Sequence, residues 1–407
     1  MSLDSINNLL AAVLPANRFY AEKLGDLGPV GSLEEFRAKA PFTTKDELAA
    51  DHEAHPPYGR TLTYPLERYT RFHQTSGTRG QPLVWLDDQE GWNWVLETWR
   101  WVWREAGAKP GDSAFFPFSF GPFIGFWAAF EAATAMGMRA LPGGGLSSEN
   151  RLRLVAEHGP EFLACTPTYA LHLAEVGKRM GLEVSGLGVE CLVVCGEPGG
   201  SIPEVRDRIA GEWRARVVDH HGMTEVGPVT VSDREDPDLL RIYHASYFAE
   251  VVEPENGEAV GPGEVGELVL TTLGRYGSPL IRYRTGDLVK PMAVPGENPL
   301  HFGLEGGIIG RADDMVVVRG INVYPSAIEA VVRSCDGIGE YQVEVDERGA
   351  LPEIRLVIEN TTGESAEHEL AASLRSVFSM RMPVTAVEPG TLPVFEVKAK
   401  RWKVIRK

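Results

Sequence analysis

The chain has 407 residues, 43% of them apolar, which is enough for two or three domains with sizeable cores. Forty Lys and Arg against 57 Asp and Glu give a formal charge of −17. That balance excludes nucleic acid or an anionic membrane as the main partner, but not a small anionic ligand, which responds to local charge. No stretch nears the ~18 apolar residues of a membrane span, and the first residues carry no cationic leader, so a cytoplasmic protein is expected.

In chain order, the first ~70 residues read as helical, with Asp4, Ser32 and Thr43 or Thr44 placed to cap three helices. His73 to Gly80, HQTSGTRG, crowds hydroxyls and glycines ahead of a strand-like run at Leu83-Val84-Trp85-Leu86. By itself this stretch is either a hairpin turn or a phosphate loop. It is not a Walker loop, because Gln81-Pro82 and a strand follow Gly80 where that motif needs a lysine and a helix. An acidic start and Gly107 bracket a helix over 87–107 whose Trp92, Leu96, Trp99 and Trp103 share one face, as core or as the wall of a pocket.

From residue 113 strand and helix signals alternate. Strands are expected at 113–120 and 161–167, a strand and turn at 138–144, and strands running into loops at 190–200 and 216–225, with helices between them. The order predicts an α/β fold, a mainly parallel sheet flanked by helices, with ligands beyond the carboxyl ends of its strands. Two polar loops fall there, Gly196-Glu197-Pro198 and His221-Gly222-Met223-Thr224-Glu225. From Tyr243 to about 290 short alternating strands suggest an antiparallel, barrel-like subdomain, and strand and helix signals resume after Asp313. The expected division is a large unit over 1–312 and a small α+β unit over 313–407. The cysteines, Cys165, Cys191, Cys195 and Cys335, form no CxxC pair, and the three in apolar, strand-like runs read as small buried hydrophobes.

Taken together, PFTTKDEL, HQTSGTRGQP, CGEPGG, HGMTE, GEVGELVLTTL, IRYRTGDL, GRADDMVVVRGINVYPSAIE and GTLPVFEVKAKR run in the order of the adenylate-forming acyl-CoA synthetases. The chain resembles their phenylacetate–CoA ligase branch over about Pro41 to Arg401. The resemblance implies an ATP- and Mg2+-dependent ligase that caps an aromatic acid with AMP and hands the acyl group to coenzyme A, with a mobile C-terminal lid.

By that resemblance, Thr75, Ser76, Gly77, Thr78, Arg79 and Gly80 wrap the ATP phosphates. Thr224 meets the α-phosphate and Glu225 holds Mg2+. Gly196, Glu197, Pro198, His220, His221, Gly222 and Met223 border the nucleotide, and Asp287 and Arg311 take the ribose and phosphates. Lys398 is the adenylation lysine, although by local context it is one of several tail cations. Asp313 is the hinge, and Arg319, Gly320 and Ile321 lie near coenzyme A. The aromatic and glycine-rich run Phe115 to Trp127 reads either as ordinary core or as a slot for a flat ring; in the second reading Phe120, Phe123 and Tyr169, with Gly196 and Gly222, border the acyl group, with the Gly143–Gly145 turn beside them.

This sequence departs from the family pattern at Arg79, at Gln81 (usually lysine) and at His221 (usually tyrosine). The segment 290–307 has no cysteine, so no structural zinc is expected there, and a site built from His220, His221, His244 and Cys195 is the weaker metal reading. The rival functions are a ligase that loads a carrier protein or an amine and a non-catalytic nucleotide-binding relative. A homodimer is the default assembly.

Overall fold

The computed structural model describes residues 3–75, 82–294, 298, 301–312, 316–318, 321–348, 352–362, 366–393, 395 and 399–405, with the backbone alone for 126, 317 and 322. Of the residues singled out above, Ser76, Gly77, Thr78, Arg79, Gly80, Gln81, Asp313, Arg319, Gly320 and Lys398 lie outside the described residues.

Four helices open the chain: α1 (Leu3–Val13), α2 (Arg18–Leu24), α3 (Leu33–Lys39) and α4 (Lys45–Ala54). Two of the expected caps form. The Ser32 hydroxyl accepts from the Glu35 amide, and Thr44 and Glu47 make a reciprocal capping box. The apolar faces of these helices, through Ile6, Tyr20, Phe36 and Leu48, pack on Phe248, Leu270 and Tyr283 in one core cluster.

β1 (Tyr69–Gln74) pairs antiparallel with β2 (Val84–Asp88), so HQTSGTRGQP spans the connection of a hairpin. Asp88 ends β2 and caps α5 (Gln89–Glu105), its carboxylate accepting from the Gly91 amide at 2.9 Å. Trp92, Trp99 and Trp103 of α5 are buried in the second core cluster, which decides for packing over a pocket wall.

A five-stranded parallel sheet follows: β3 (Ser113–Phe116), β4 (Arg139–Pro142), β5 (Phe162–Cys165), β6 (Cys191–Val194) and β7 (Arg216–Asp219), in the order β4-β3-β5-β6-β7. α6 (Ile124–Ala135), α7 (Ser148–His158), α8 (Pro167–Met180) and α9 (Pro203–Trp213) connect them. The expected strand over 113–120 ends at Phe116, because Pro117 has no amide to donate to the ladder. The following helix likewise starts at Ile124 rather than 120, after Pro122. β7 stops at Asp219, and the loop expected after it contains a small hairpin of β8 (Gly222–Met223) and β9 (Gly227–Pro228).

The antiparallel region runs from Thr230 to Arg311, beyond both ends of 243–290. β10 (Thr230–Ser232), β11 (Leu239–Ile242), β15 (Pro291–Ala293) and β16 (Phe302–Glu305) form one sheet. β12 (Tyr247–Val252), β13 (Gly266–Thr272), β14 (Tyr283–Val289) and β17 (Gly310–Arg311) form another. Past it come β18 (Val316–Val318), β19 (Ile321–Val323), α10 (Pro325–Arg333), β20 (Ile338–Asp346), β21 (Glu353–Asn360), α11 (Ala366–Phe378), β22 (Val384–Val387) and β23 (Trp402–Ile405). They have their own core around Val323, Ile328, Val343, Leu356 and Leu370. Among the described residues no helix is long and apolar enough to cross a membrane.

Candidate nucleotide and acyl site

The first corner of the site is an ionic triad. Asp287 on β14 sits directly opposite Arg311 on β17 in the ladder. Its Oδ1 accepts from the Arg311 guanidinium at 3.1 Å and its Oδ2 faces His221 Nε2 at 2.9 Å. The buried Nδ1 of His221 has no hydrogen-bond partner among the described residues. Gly286 makes the corner possible: its φ is 77°, and a Cβ there would stand 2.7 Å from the Arg311 guanidinium. His221 is anchored by its own amide, which donates to the Thr230 hydroxyl at 3.1 Å.

The second corner is the β8–β9 turn. Glu225 is 4% exposed, yet its carboxylate meets a cation, Lys45 Nζ, at 3.1 Å. Lys45 is half exposed at the first position of α4, just after the Thr44 cap. Burial, and then the negative charge of Glu225, push the Tyr283 phenol well above its usual range; Arg311 and Asp287 act on the same ring, so both corners share one neighbourhood. An anionic oxygen donor already facing an ammonium suits a hard divalent cation. His220, behind the turn, donates from Nδ1 to the Thr230 carbonyl at 2.8 Å, and burial pushes its pKa down to about 4.

The third corner joins the two ends of the molecule. Glu197, in the loop after β6, accepts from the Thr168 amide at the start of α8 at 2.8 Å and from the Ala399 amide at 2.9 Å. Gly196 and Pro198 on either side of it are exposed. Arg401 Nη1 reaches back to the Thr168 hydroxyl at 3.4 Å and also meets Glu329 at 3.3 Å, while its Nε and Nη2 hold Glu340. At the hairpin, Thr75 closes the ladder: its hydroxyl accepts from the Leu83 amide at 3.0 Å.

Against known proteins, residues 72–274 match the AMP-binding enzyme family and residues 320–405 match the AMP-binding enzyme C-terminal domain. The phenylacetate–coenzyme A ligase of Thermus thermophilus is 32% identical over 366 residues, 88% of this chain and 80% of that one. The chain belongs to the adenylate-forming enzymes, in their phenylacetate–CoA ligase branch. The Escherichia coli phenylacetate–coenzyme A ligase is 31% identical over 377 residues, 89% of this chain and 84% of its own. Among solved structures, 2-hydroxyisobutyryl-CoA ligase in its postadenylation state with 2-HIB-AMP superposes with a TM-score of 0.93 at 29% identity, over 99% of this chain and 89% of that one. The same ligase with 2-HIB-AMP and CoA in its thioesterification state gives 0.73, over 99% and 88%. Identity is equal in the two comparisons, so the drop reflects conformation and not sequence.

Within this adenylate-forming chain, the remaining expected residues fall into two groups. Phe120 is ringed by Trp127 at 4.8 Å, Phe130 at 5.2 Å and Phe118 at 5.8 Å between ring centroids. Trp127, at the edge of that nest, is 38% exposed, and Phe123, just ahead of α6, is 37% exposed. Tyr169, 1% exposed, is part of the packing behind, its hydroxyl bonded to Ser148 and to Arg151. Ile321 pairs with Val318 in the β18–β19 ladder. Burial raises the thiol of Cys165 well above its usual range, Cys191 to about 11 and Cys195 to about 12, which leaves them protonated and poor nucleophiles. Among the described residues no three His, Cys, Asp or Glu gather for a metal ion.

Sequence reasoning missed Lys45, which sits inside the quoted PFTTKDEL and was visible only as part of a helix cap. It also missed Arg275, two residues past GEVGELVLTTL, whose partner Asp87 lies 188 positions away.

Proposed function

We propose that this protein is an AMP-forming acid–CoA ligase that activates an aromatic carboxylic acid as its acyl-adenylate and then transfers the acyl group to coenzyme A. The observation that carries this reading is the carboxylate of Asp287, pinned between His221 and Arg311 beside the buried Glu225, at the carboxyl edge of the parallel sheet.

A free carboxylate repels nucleophiles, so it must first be capped. The capping step brings two anions together, and the site has to supply cations and donors where charge develops. Arg311 and Asp287 would orient the ribose, Thr224 the α-phosphate, and the 75–80 loop the outgoing phosphates. Glu225 would hold Mg2+, which screens the phosphates when bound. Lys398 would neutralise the departing pyrophosphate, and a hinge at Asp313 would let residues 313–407 swing so that Arg319, Gly320 and Ile321 face coenzyme A. The high likeness to a postadenylation structure and the lower likeness to a thioesterification structure support a molecule held near the first pose. The aromatic nest around Phe120, with Phe123 and Gly222, supports a flat acyl group. A homodimer and a cytoplasmic setting belong to the same proposal, testable by sedimentation and fractionation.

The test is pyrophosphate release and acid-dependent ATP–pyrophosphate exchange over benzoate, anthranilate, phenylacetate and short aliphatic acids. Exchange with an aromatic acid, together with AMP release that requires free CoA, is expected. AMP release that needs a carrier protein or an amine instead would move the acceptor. Absence of exchange with every acid would leave a nucleotide-binding relative.

A further inference from the structure

Arg275 is fully buried, yet no expected role touches it. Its Nε and Nη2 each meet one oxygen of Asp87 at 2.6 Å, a bidentate pair. The remaining Nη1 donates to two backbone carbonyls, that of Thr224 at 3.2 Å and that of Glu225 at 2.8 Å. Asp87 belongs to β2, the strand that leaves the 75–81 connection. Ser278, three residues past Arg275, adds a second tie by donating to the Leu86 carbonyl. One planar guanidinium therefore spans from the strand after the phosphate-loop stretch to the turn that carries Thr224 and Glu225. His73 on β1 stands 3.8 Å from the same Asp87 carboxylate and stacks on Trp92, closing the group from the far side.

We propose that Arg275, oriented by Asp87, is a positioning residue for the adenylation half-reaction: it sets the Thr224–Glu225 turn at a fixed distance from the β1–β2 hairpin. The proposal rests on the ligase reading above. Its physical basis is the rigidity of the fork. Four of the five guanidinium donors are used, so a shift of the turn would break a hydrogen bond at the carbonyls or at the carboxylate. A lysine offers a compact charge with no such fork.

The test uses the full chain and two variants. Asp87→Leu with Arg275→Met replaces the buried ion pair by apolar groups of similar volume, a change that folds tolerate, and removes both donors to the turn. Arg275→Lys keeps the charge opposite Asp87 but cannot reach carboxylate and carbonyls together. For wild type and variants, ATP–pyrophosphate exchange is measured against MgATP and against phenylacetate, or whichever panel acid the wild type uses. Thioester formation is measured separately from supplied acyl-adenylate and CoA, and thermal unfolding is followed throughout.

The expected result is a cooperative melt for the double variant and exchange kcat/KM for MgATP down by roughly tenfold or more, as loss of charge-assisted hydrogen bonds implies. KM for the acid and the thioester step should stay within about twofold, and Arg275→Lys should fall between. Exchange within twofold of wild type, or equal loss in both half-reactions, overturns the proposal. If the double variant does not fold, Arg275→Lys is judged by the same criterion. A wild type that shows no exchange with any acid overturns the ligase reading itself, and this inference with it.

Discussion

The cradle for the nucleotide and the seam to the C-terminal unit are built differently. In the cradle, buried forks do the holding: Arg275 on Asp87, and Arg282 on Glu250 with a further bond to the Ala40 carbonyl. Each places a planar cation among oxygens that have no water to turn to, so breaking any contact strands a buried charge. At the seam, the described contacts include the Ala399 amide on Glu197, the long 3.4 Å contact from Arg401 to Thr168, the Ser326 hydroxyl donating to the Ile309 carbonyl, and Ala330 packed against the core of β5, β6 and α8. Arg401 spends its strong bonds inside its own unit, on Glu329 and Glu340. The cradle is held by buried charged forks and the seam by single hydrogen bonds and apolar packing, a contrast that fits the lid movement proposed above.

The largest effect is expected from the cradle's own chemistry. Glu225→Gln keeps the shape of the side chain and removes the charge. If the carboxylate holds the metal at the phosphates, exchange should fall by about 10²- to 10³-fold. The melting temperature should stay within a few degrees, since the partner, Lys45, is half exposed. A fall of less than about threefold in exchange would remove Glu225 from the site.

Acid sharpens the comparison. His220 is buried as the neutral ring, with a pKa of about 4 against an unfolded value of 6.5. Its folded pKa is depressed, so the unfolded state binds the extra proton first: stability is full above the unfolded pKa and is lost as pH falls below it, until the folded ring also protonates near 4. Between pH 7.5 and 5 this one group should cost about 2 kcal/mol. In the C-terminal unit the corresponding buried group is Glu329. Burial pushes its carboxyl up, but Arg333 and Arg401 outweigh that and hold it below its usual range, so it stays ionised through the same window. Mild acid should therefore loosen the cradle before the lid. In His220→Asn, which keeps a donor toward the Thr230 carbonyl, unfolding curves should lose about 2 kcal/mol of their pH dependence over that window. Parallel curves for variant and wild type would mean that His220 is not the sensor.

Much of this site was readable because the chemistry writes itself in short contiguous runs. Asp287 in RYRTGD, Glu225 in HGMTE and Glu197 in CGEPGG were singled out through short runs that resemble the family's, and alternating strand and helix signals anticipated the parallel sheet in order. The strand ends were less legible where proline intervened, as at Pro117, since an apolar run continued past the point where the ladder lost its donor. Lys45 and Arg275 were invisible for another reason. Each acts through a partner far along the chain, Glu225 for one and Asp87 for the other, and no local pattern reports such a pairing.

The smallest effect tests the seam. Glu197 offers two oxygens to two amide donors, Thr168 within its own unit and Ala399, the residue after Lys398, across the seam. Glu197→Gln leaves one carbonyl oxygen and turns an NH2 toward whichever amide is left, so one of the two bonds becomes a clash of donors. Thr168 sits at the start of α8, where the helix itself fixes the amide, so the bond to Ala399 is the one to give way. Weakening that bond should disfavour the pose needed for the first half-reaction without touching the second. Exchange should fall about three- to tenfold, as one charge-assisted hydrogen bond implies, while thioester formation from supplied acyl-adenylate stays the same or quickens. Equal loss in both steps would mean that Glu197 serves the loop after β6 and not the seam, and any preference for one pose would then rest on the other contacts there, such as Ser326 on the Ile309 carbonyl.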